Sequence, residues 1–371
     1  MRSYFKSWAN LLHLNKILNN ESIVFYSEGK NYYKYFDLIV RELLTKYRKE
    51  IHYITSDIND PVLTRNVKNF NAFYVQNNIT LIILFHIIKA KVFASTLPDL
   101  NTFHLKKSKN VKFHVYIHHS HNSTHMVYRK NAFDNFDVIF CTGPHQNKET
   151  VAWEKLYNLK PKKLINCGYG PIDLLSSNNF QINKNTNKKI ILIAPSWGKN
   201  SIFEYNQSKI CELLIENGFY VLLRLHPRTN QLNPNIIKFL KEKFKNVKDF
   251  EIDESTDDSS YLRADLMITD WSGASFEFSF SALKPVLFIN LPKKINNNSY
   301  QEINIEPYES ISRKEIGELI EFSEIDTITK VVNDLLEAEL YWKNKIKLYR
   351  DKTLYNHNKS GYIGAKALIS L

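Results

Sequence analysis

Glycine and proline are scarce, 10 and 11 in 371 residues, and there are three cysteines. So little glycine excludes a collagen-like repeat. With 43% hydrophobic and 24% charged residues the chain can fill a sizeable core, which excludes intrinsic disorder and low-complexity scaffolds. Cys141, Cys167 and Cys211 are odd in number, far apart and without a CxxC pair. Neither a disulfide framework nor a zinc ribbon is expected, and a reducing compartment fits. Long hydrophobic runs are missing as well. The longest, residues 81–93 (LIILFHIIKAKVF), is broken by His86, Lys89 and Lys91. It falls short of the roughly 20 residues that span a bilayer, so it reads as a buried strand and helix. No basic start, apolar run and small-residue cleavage site follow one another at the N-terminus, so no signal peptide is expected. GxxxxGK[ST] and GxGxxG are also absent, and a phosphate site must use other means.

What is present is an excess of positive charge, +12. An excess of this size attracts anions: nucleic acid, anionic lipid headgroups or nucleotide-phosphate substrates. Aromatic residues do not cluster with Lys and Arg as in an RNA-binding sheet, so nucleic acid is not expected as a partner.

Short apolar runs alternate with amphipathic stretches, the pattern of parallel sheets built from βαβ units. Strands are expected at residues 22–26, 51–54, 81–84, 92–94, 111–117, 137–141 and 164–166. Residues 32–47 carry the spacing of one helix face at Phe36, Ile39, Val40, Leu43, Leu44 and Tyr47. Residues 176–189 are polar, Asn-rich and aperiodic, which reads as a linker. The rhythm then restarts with strands at 190–194, 220–225, 265–269 and 286–289 and helices near 203–216 and after Ser272. The expected organisation is an N-terminal domain 1–175, a linker 176–189 and a C-terminal domain 190–371. In the first 18 residues, Phe5, Trp8, Leu11, Leu12 and Leu18 interleave with Arg2, Lys6 and Lys16. This reads either as a basic amphipathic helix on a membrane surface or as an ordinary helix packed on the first domain.

Three segments carry chemistry. In 265–290 an apolar strand runs into Thr269-Asp270-Trp271-Ser272-Gly273 and then a helix. Ser272 is a natural N-cap, and Gly273 lets a ligand approach the backbone. A helix N-terminus at a sheet edge binds phosphate without a Walker loop, although a capped helix that binds nothing is the plain alternative. In 220–228 (YVLLRLHPR) a strand ends at His226, flanked by Arg224 and Arg228, whose charge suits a pyrophosphate. In 111–125 a strand delivers His118, His119 and Ser120, with His121 and His125 beyond. This cluster admits a metal site, solvated loop histidines or one catalytic His; no Glu or Cys stands at a recognised ligand spacing. A neutral imidazole is suited to accept a hydroxyl proton near neutral pH. Ala194-Pro195-Ser196-Trp197-Gly198 directly follows a strand and reads as a loop over a ligand or as a plain βα turn. The acidic run Asp253, Glu254, Asp257 and Asp258 reads as a solvated helix entry.

The APSW of residues 194–197, the RLHP of 224–227 and the ADLMITDWSGASFEF of 264–278, with KPVLF at 284–288, resemble the CDP-glycerol glycerophosphotransferase family of teichoic-acid and capsule polymerases. SEGKNYY at 27–33, IHHS at 117–120 and CGYGPIDLL at 167–175 match its weaker landmarks. The resemblance implies an α/β, GT-B-like fold of two Rossmann-type domains facing across a cleft, acceptor side first and donor nucleotide on the second. It implies one catalytic histidine per domain, His119 and His226. Ser196, Trp197, Arg224, Arg228, Thr269, Asp270, Ser272, Gly273, Ser275 and Glu277 are then the donor- and phosphate-binding residues. The chain departs from the family pattern at the WHG-type motif, here His118-His119-Ser120, and at Gly273, where the family has Ser. The implied activity is transfer of glycerol phosphate, or a related polyol phosphate, from the CDP-activated donor to a hydroxyl of a teichoic-acid-like or capsular acceptor, releasing CMP. A GT-B glycosyltransferase using a nucleotide sugar is the alternative. No cofactor or protein-bound metal is expected. The implied partners are the CDP-polyol, a polysaccharide or lipid-linked acceptor and an anionic membrane surface, with the enzyme cytoplasmic and peripheral on the inner membrane face.

Overall fold

The computed structural model describes residues 2–177, 186–205, 208–255 and 257–371, without the side chains of residues 2, 230 and 231. It divides into two compact units. The first comprises Met1–Asp173, Asn296–Ile305 and Leu354–Leu371; the second comprises Leu174–Ile295 and Glu306–Thr353.

The first unit holds seven strands: β1 Ile23–Ser27, β2 Ile51–Thr55, β3 Phe70–Tyr74, β4 Ala90–Ser95, β5 Val111–Ile117, β6 Val138–Cys141 and β7 Lys163–Asn166. They form one parallel sheet in the order β3-β2-β1-β4-β5-β6-β7. Successive side chains of a strand point to opposite faces, so a strand covered on both sides reads as a continuous apolar run. β1 shows this: Ile23 and Phe25 join one buried cluster with Ile39, Val40 and Leu43, while Val24 and Tyr26 join another with Leu11, Leu14 and Leu84.

The second unit repeats the plan with β8 Ile190–Ile193, β9 Tyr220–Leu223, β10 Phe250–Ile252, β11 Leu266–Thr269, β12 Val286–Asn290 and β13 Gly317–Glu321. The order is β10-β9-β8-β11-β12-β13, again parallel. In both sheets the chain first adds strands on one side, then returns to the middle and adds on the other. This is the Rossmann arrangement, and ligands bind where the direction reverses, at the carboxyl ends of the strands. Those reversal points lie between β1 and β4 and between β8 and β11.

Several expectations need correction. Residues 81–84 belong to a helix, Ile79–Ile87, capped by the Asn78 side chain, which accepts from the Thr80 N–H at 2.9 Å. This segment is apolar nearly all round, so its periodicity could not separate strand from helix. β3, β10 and β13 were not anticipated. β3 is an edge strand fully buried only at Phe70 and Tyr74, and its pattern is correspondingly weak. Residues 203–216 form two helices, Ile202–Tyr205 and Lys209–Glu216; residues 206–207 lie outside the described residues. So do residues 178–185 of the expected linker.

The expected C-terminal domain 190–371 is also too long. Residues 354–371 fold with the first unit, because helix Ser360–Ser370 packs on helix Asp37–Thr45. Ala365 and Leu368 are fully buried there. A side-chain carbon added at Gly361 would stand 2.8 Å from the Leu38 carbonyl oxygen, and one at Gly364 would stand 2.7 Å from the Ile39 side chain. Only glycine allows the two helices this close.

The N-terminal helix, Arg2–Ile17, buries Ser7, Leu11 and Leu14 in the first unit, and Trp8 packs partly against the same cluster. Phe5 and Leu12 remain 68% and 62% exposed. Among the described residues no helix is long and apolar enough to cross a membrane.

Candidate active site

β5 ends at Ile117 and hands the chain to His118 and His119, one strand away from the reversal point of the first sheet. His119 Nδ1 lies 3.0 Å from the Thr96 carbonyl oxygen at the end of β4 and 3.2 Å from the Tyr116 hydroxyl. A carbonyl can only accept, so Nδ1 carries the proton and donates it to Thr96. Nε2 is left with its lone pair, 3.5 Å from the Tyr128 hydroxyl. The rings of Tyr32, Tyr35 and Tyr128 stand 5.6–6.1 Å from the imidazole. Burial in this aromatic surround pushes the His119 pKa down to about 4, so the ring is neutral at physiological pH. A fixed tautomer with an unprotonated Nε2 is the protonation state from which a general base acts.

The other histidines of the cluster have different work. His121 Nδ1 meets the Thr142 hydroxyl at 2.7 Å. His125 meets the Ile305 carbonyl at 3.0 Å and stands 3.3 Å from Glu149. His118 is buried with no hydrogen-bond partner at either ring nitrogen among the described residues. Among the described residues no three His, Cys, Asp or Glu side chains converge as a metal would require. Gly168, at φ +98°, turns the chain where a side chain would strike the Tyr355 carbonyl. The turn lets Tyr169 donate to the His119 carbonyl at 3.1 Å. The CGYGPIDLL stretch thus supports the His119 loop.

In the second unit the reversal point is built by the loops after β8 and β11. Asp270 is fully buried, and its two carboxylate oxygens accept from the backbone N–H of Ser196 at 2.8 Å and of Ile202 at 3.0 Å. The Thr269 hydroxyl donates to the Ala194 carbonyl at 2.6 Å. Both side chains therefore hold the APSW loop. The Ser275 hydroxyl is likewise spent, donating to the Ser272 carbonyl at 2.9 Å, and Glu277 is buried on the same helix. Ser272 is not the N-cap: helix Ala274–Ala282 starts after Gly273, whose φ of −64° is ordinary right-handed backbone, and the Ser272 hydroxyl receives the Ala274 N–H only at 3.4 Å. Trp271 fixes the entry by donating its Nε1–H to the Leu291 carbonyl at 2.7 Å.

Arg224 is also committed elsewhere. Its guanidinium pairs with Asp253 at 2.5 Å and Asp258 at 2.9 Å and reaches the Ser260 hydroxyl at 3.1 Å. Two members of the acidic run that read as a solvated helix entry, Asp253 and Asp258, are thus the counter-charge of Arg224, while Glu254 pairs with Lys241. Neither half of that pair was visible alone, because β9 and the loop after β10 meet only in the folded sheet.

What the β8 and β9 loops do present is Trp197 with two basic neighbours. The Arg228 guanidinium stands 4.4 Å from the centre of the Trp197 ring, and the His226 ring lies 6.0 Å away. His226 caps helix Pro227–Leu232, its Nδ1 accepting the Arg228 N–H at 3.1 Å. In the neutral ring Nε2 then carries the proton, the reverse of His119: one histidine offers a lone pair, the other an N–H. Gly198, at φ +92°, makes the turn that follows Trp197.

Two cations here escaped the sequence reading. Lys294, just past β12, packs on Trp197. Arg313, in helix Tyr308–Ile316, stacks 4.2 Å from the Trp271 ring and donates to the Ile289 carbonyl at 3.2 Å. Burial lowers its pKa to about 10. The signal for Lys294 was its position immediately after a strand of the second sheet.

Residues 8–352 match the family described as CDP-glycerol:poly(glycerophosphate) glycerophosphotransferase. The chain belongs to this family. A teichoic acid poly(glycerol phosphate) polymerase of Bacillus spizizenii is 29% identical over 147 residues, so that the match spans about a third of each protein, 34% of this chain and 35% of the relative. Among solved structures, the wall teichoic acid polymerase TagF, in a His-to-Asn form soaked with CDPG, is similar at a TM-score of 0.64 and 18% identity, covering 100% of this chain and 93% of that one. A putative UDP-N-acetylglucosamine 2-epimerase from Listeria monocytogenes gives 0.58 and 12%, covering 95% and 96%. At these identities the likeness is one of fold, and the GT-B-like plan of two Rossmann-type halves holds for this family member.

Proposed function

We propose that the protein transfers a glycerol-phosphate unit from CDP-glycerol to a hydroxyl group of a teichoic-acid-like or capsular polymer, releasing CMP. The observation that carries this reading is the family match across 8–352. The two histidines, held in opposite tautomers, supply the chemistry. In the first unit His119 Nε2 takes the proton of the acceptor hydroxyl as its oxygen attacks the β-phosphorus. The bond from that phosphorus to the bridging oxygen breaks, and CMP leaves with the electron pair. In the second unit Trp197 and Arg228 hold the donor, and the Nε2–H of His226 stabilises charge on the transferring phosphate.

Feeding CDP-glycerol and UDP- or CMP-sugars separately, with mass spectrometry of nucleotide and product, tests this. CMP together with a product heavier by glycerol phosphate is expected. A product heavier by a sugar would replace the reading with glycosyl transfer.

The acceptor class places the work at the inner membrane face of the cytoplasm, and the exposed side of the N-terminal helix supports that placement. Tyr4, Phe5 and Leu12 are exposed, as are Lys6 and Lys16. Each cation near an anionic surface contributes about 1 kcal/mol. Trp8 and Leu11 are held by the first unit, so deleting the helix would damage the core; point changes are the cleaner probe. Co-sedimentation with anionic vesicles should weaken at high salt and drop in a Phe5→Ser, Leu12→Ser, Lys6→Glu variant. Equal binding to neutral vesicles would refute surface attachment by this helix.

A further inference from the structure

The loop after β12 carries a lysine that neither the motifs nor the mechanism above use. Lys294 sets its Nζ 3.6 Å from the centre of the Trp197 ring and donates one N–H to the Trp197 carbonyl at 3.0 Å. Arg228 stands over the same ring at 4.4 Å. Among the described residues neither cation has a carboxylate partner within ion-pair distance. The nearby Asp270 carboxylate is already committed to two backbone N–H groups. Burial lowers the Lys294 pKa to about 8, the nearby Asp270 carboxylate opposing the shift and Arg228 adding to it.

Holding two like charges together, with Lys294 half-buried and Arg228 exposed, is unfavourable. It becomes favourable when a polyanion arrives and forms charge-assisted hydrogen bonds with both. The loops concerned follow β8, β9 and β12, at the carboxyl edge of the sheet and beside its reversal point, where a nucleotide binds in such folds.

We propose that Lys294 is a donor-binding residue, its ammonium joining Arg228 and the His226 Nε2–H on the diphosphate of the activated nucleotide. This rests on the functional reading above and adds a residue to it. On departure of the nucleotide monophosphate, the same ammonium balances the charge that remains on the leaving phosphate.

Calorimetric titration of the full chain with CDP-glycerol tests it in wild type, Lys294→Met and Lys294→Arg. Methionine keeps an apolar stem against Trp197, and arginine restores the charge. Hydrogen bonds to charged groups imply a loss of about 10- to 100-fold in affinity for Lys294→Met, with Lys294→Arg within a few-fold of wild type. CDP-glycerol is a diphosphate diester whose own charge is constant at neutral to alkaline pH. Wild-type affinity should therefore hold to about pH 8 and fall above it as Lys294 deprotonates, while Lys294→Arg stays flat. The other charged or titratable groups around Lys294, namely Asp270, Arg228 and His226, are the same in all three proteins. Undiminished binding by Lys294→Met overturns the proposal, as does Lys294→Arg binding as weakly as Lys294→Met at an unchanged melting temperature. If Lys294 governs binding of CDP-glycerol but no glycerol-phosphate product forms, the proposal stands and the transfer reading falls. If Lys294→Met binds and transfers like wild type, the reverse holds. A wild-type protein that binds neither CDP-glycerol nor a UDP-sugar overturns both.

Discussion

At the scale of single residues, the two histidines differ in which nitrogen is held. Thr96 takes the Nδ1–H of His119, and the Arg228 N–H takes the Nδ1 lone pair of His226. A base and a hydrogen-bond donor follow from two backbone contacts. His119→Ala and His226→Ala should each lower kcat by roughly 10²- to 10³-fold at unchanged melting temperature, measured by CMP release. Because His119 is already neutral down to about pH 4, the acid limb of kcat/KM should fall well below the ordinary histidine value of 6.5. An acid limb centred at 6.5 that persists in His226→Ala would remove His119 from the role of base. His121→Ala and His125→Ala should keep most activity, since both rings are spent on Thr142 and Ile305.

Elements are held by buried polar groups that the sequence shows only as motif letters. Asp270 is the clearest case: one carboxylate ties the loop after β8 to the strand end of β11 through two backbone N–H groups. Asp270→Ala would bury both N–H groups without partners, at a cost of about 1–3 kcal/mol each, so urea unfolding should show a loss of roughly 2–6 kcal/mol. Donor binding should fail with it, because Trp197 sits in that loop. An Asp270→Ala protein of unchanged stability would mean that the loop holds itself. Packing of the C-terminal helix depends on glycine instead. Gly361→Ala sets a new carbon against the Leu38 backbone, which cannot yield as a flexible side chain would, and should cost about 1–3 kcal/mol or more. Gly364→Ala meets the Ile39 side chain and should cost less. Thermal denaturation ranks the two, and the reverse order would contradict this packing.

For the molecule as a whole, titratable histidines are unevenly shared. Eleven of the 12 histidines fall in the first unit and only His226 in the second. Burial lowers the pKa of His52, His114, His118, His119, His121 and His145 below 6.5, the last of these to about 4. Between about pH 6.5 and 4 the unfolded chain therefore binds more protons than the folded one. Stability is complete above that window and is lost as pH falls through it, by about 1.4 kcal/mol for every tenfold difference in proton affinity between the unfolded and folded states. Hydrogen exchange should show the first unit opening before the second on acidification. His118→Phe, which removes a buried ring with no hydrogen-bond partner among the described residues, should move that opening to lower pH. Simultaneous opening of both units, or no effect of His118→Phe, would refute the linkage.

The α/β rhythm, most of the strands and the loops that directly follow them (APSW, RLHP and TDWSG) were legible from the linear chain. They depend on local patterns: continuous apolar runs for strands covered on both faces, and turn residues directly after them. The helix at Ile79–Ile87 and edge strand β3 were not, because the first is apolar all round and the second is covered only in part. Partnerships between distant residues were equally hidden. Arg224 and Asp253 lie in neighbouring strand ends, Asp270 reaches back to Ser196, Lys294 comes to rest on Trp197, and helix Ser360–Ser370 returns to the first unit. A charge or carboxylate near a strand end looks the same in sequence whether it will meet a ligand or another side chain. Which of the two happens depends on the order in which the strands assemble, since parallel neighbours such as β8 and β11 are about 75 residues apart in the chain. That ordering turned Thr269, Asp270 and Arg224 into supports and left Trp197, His226, Arg228 and Lys294 together at the sheet edge.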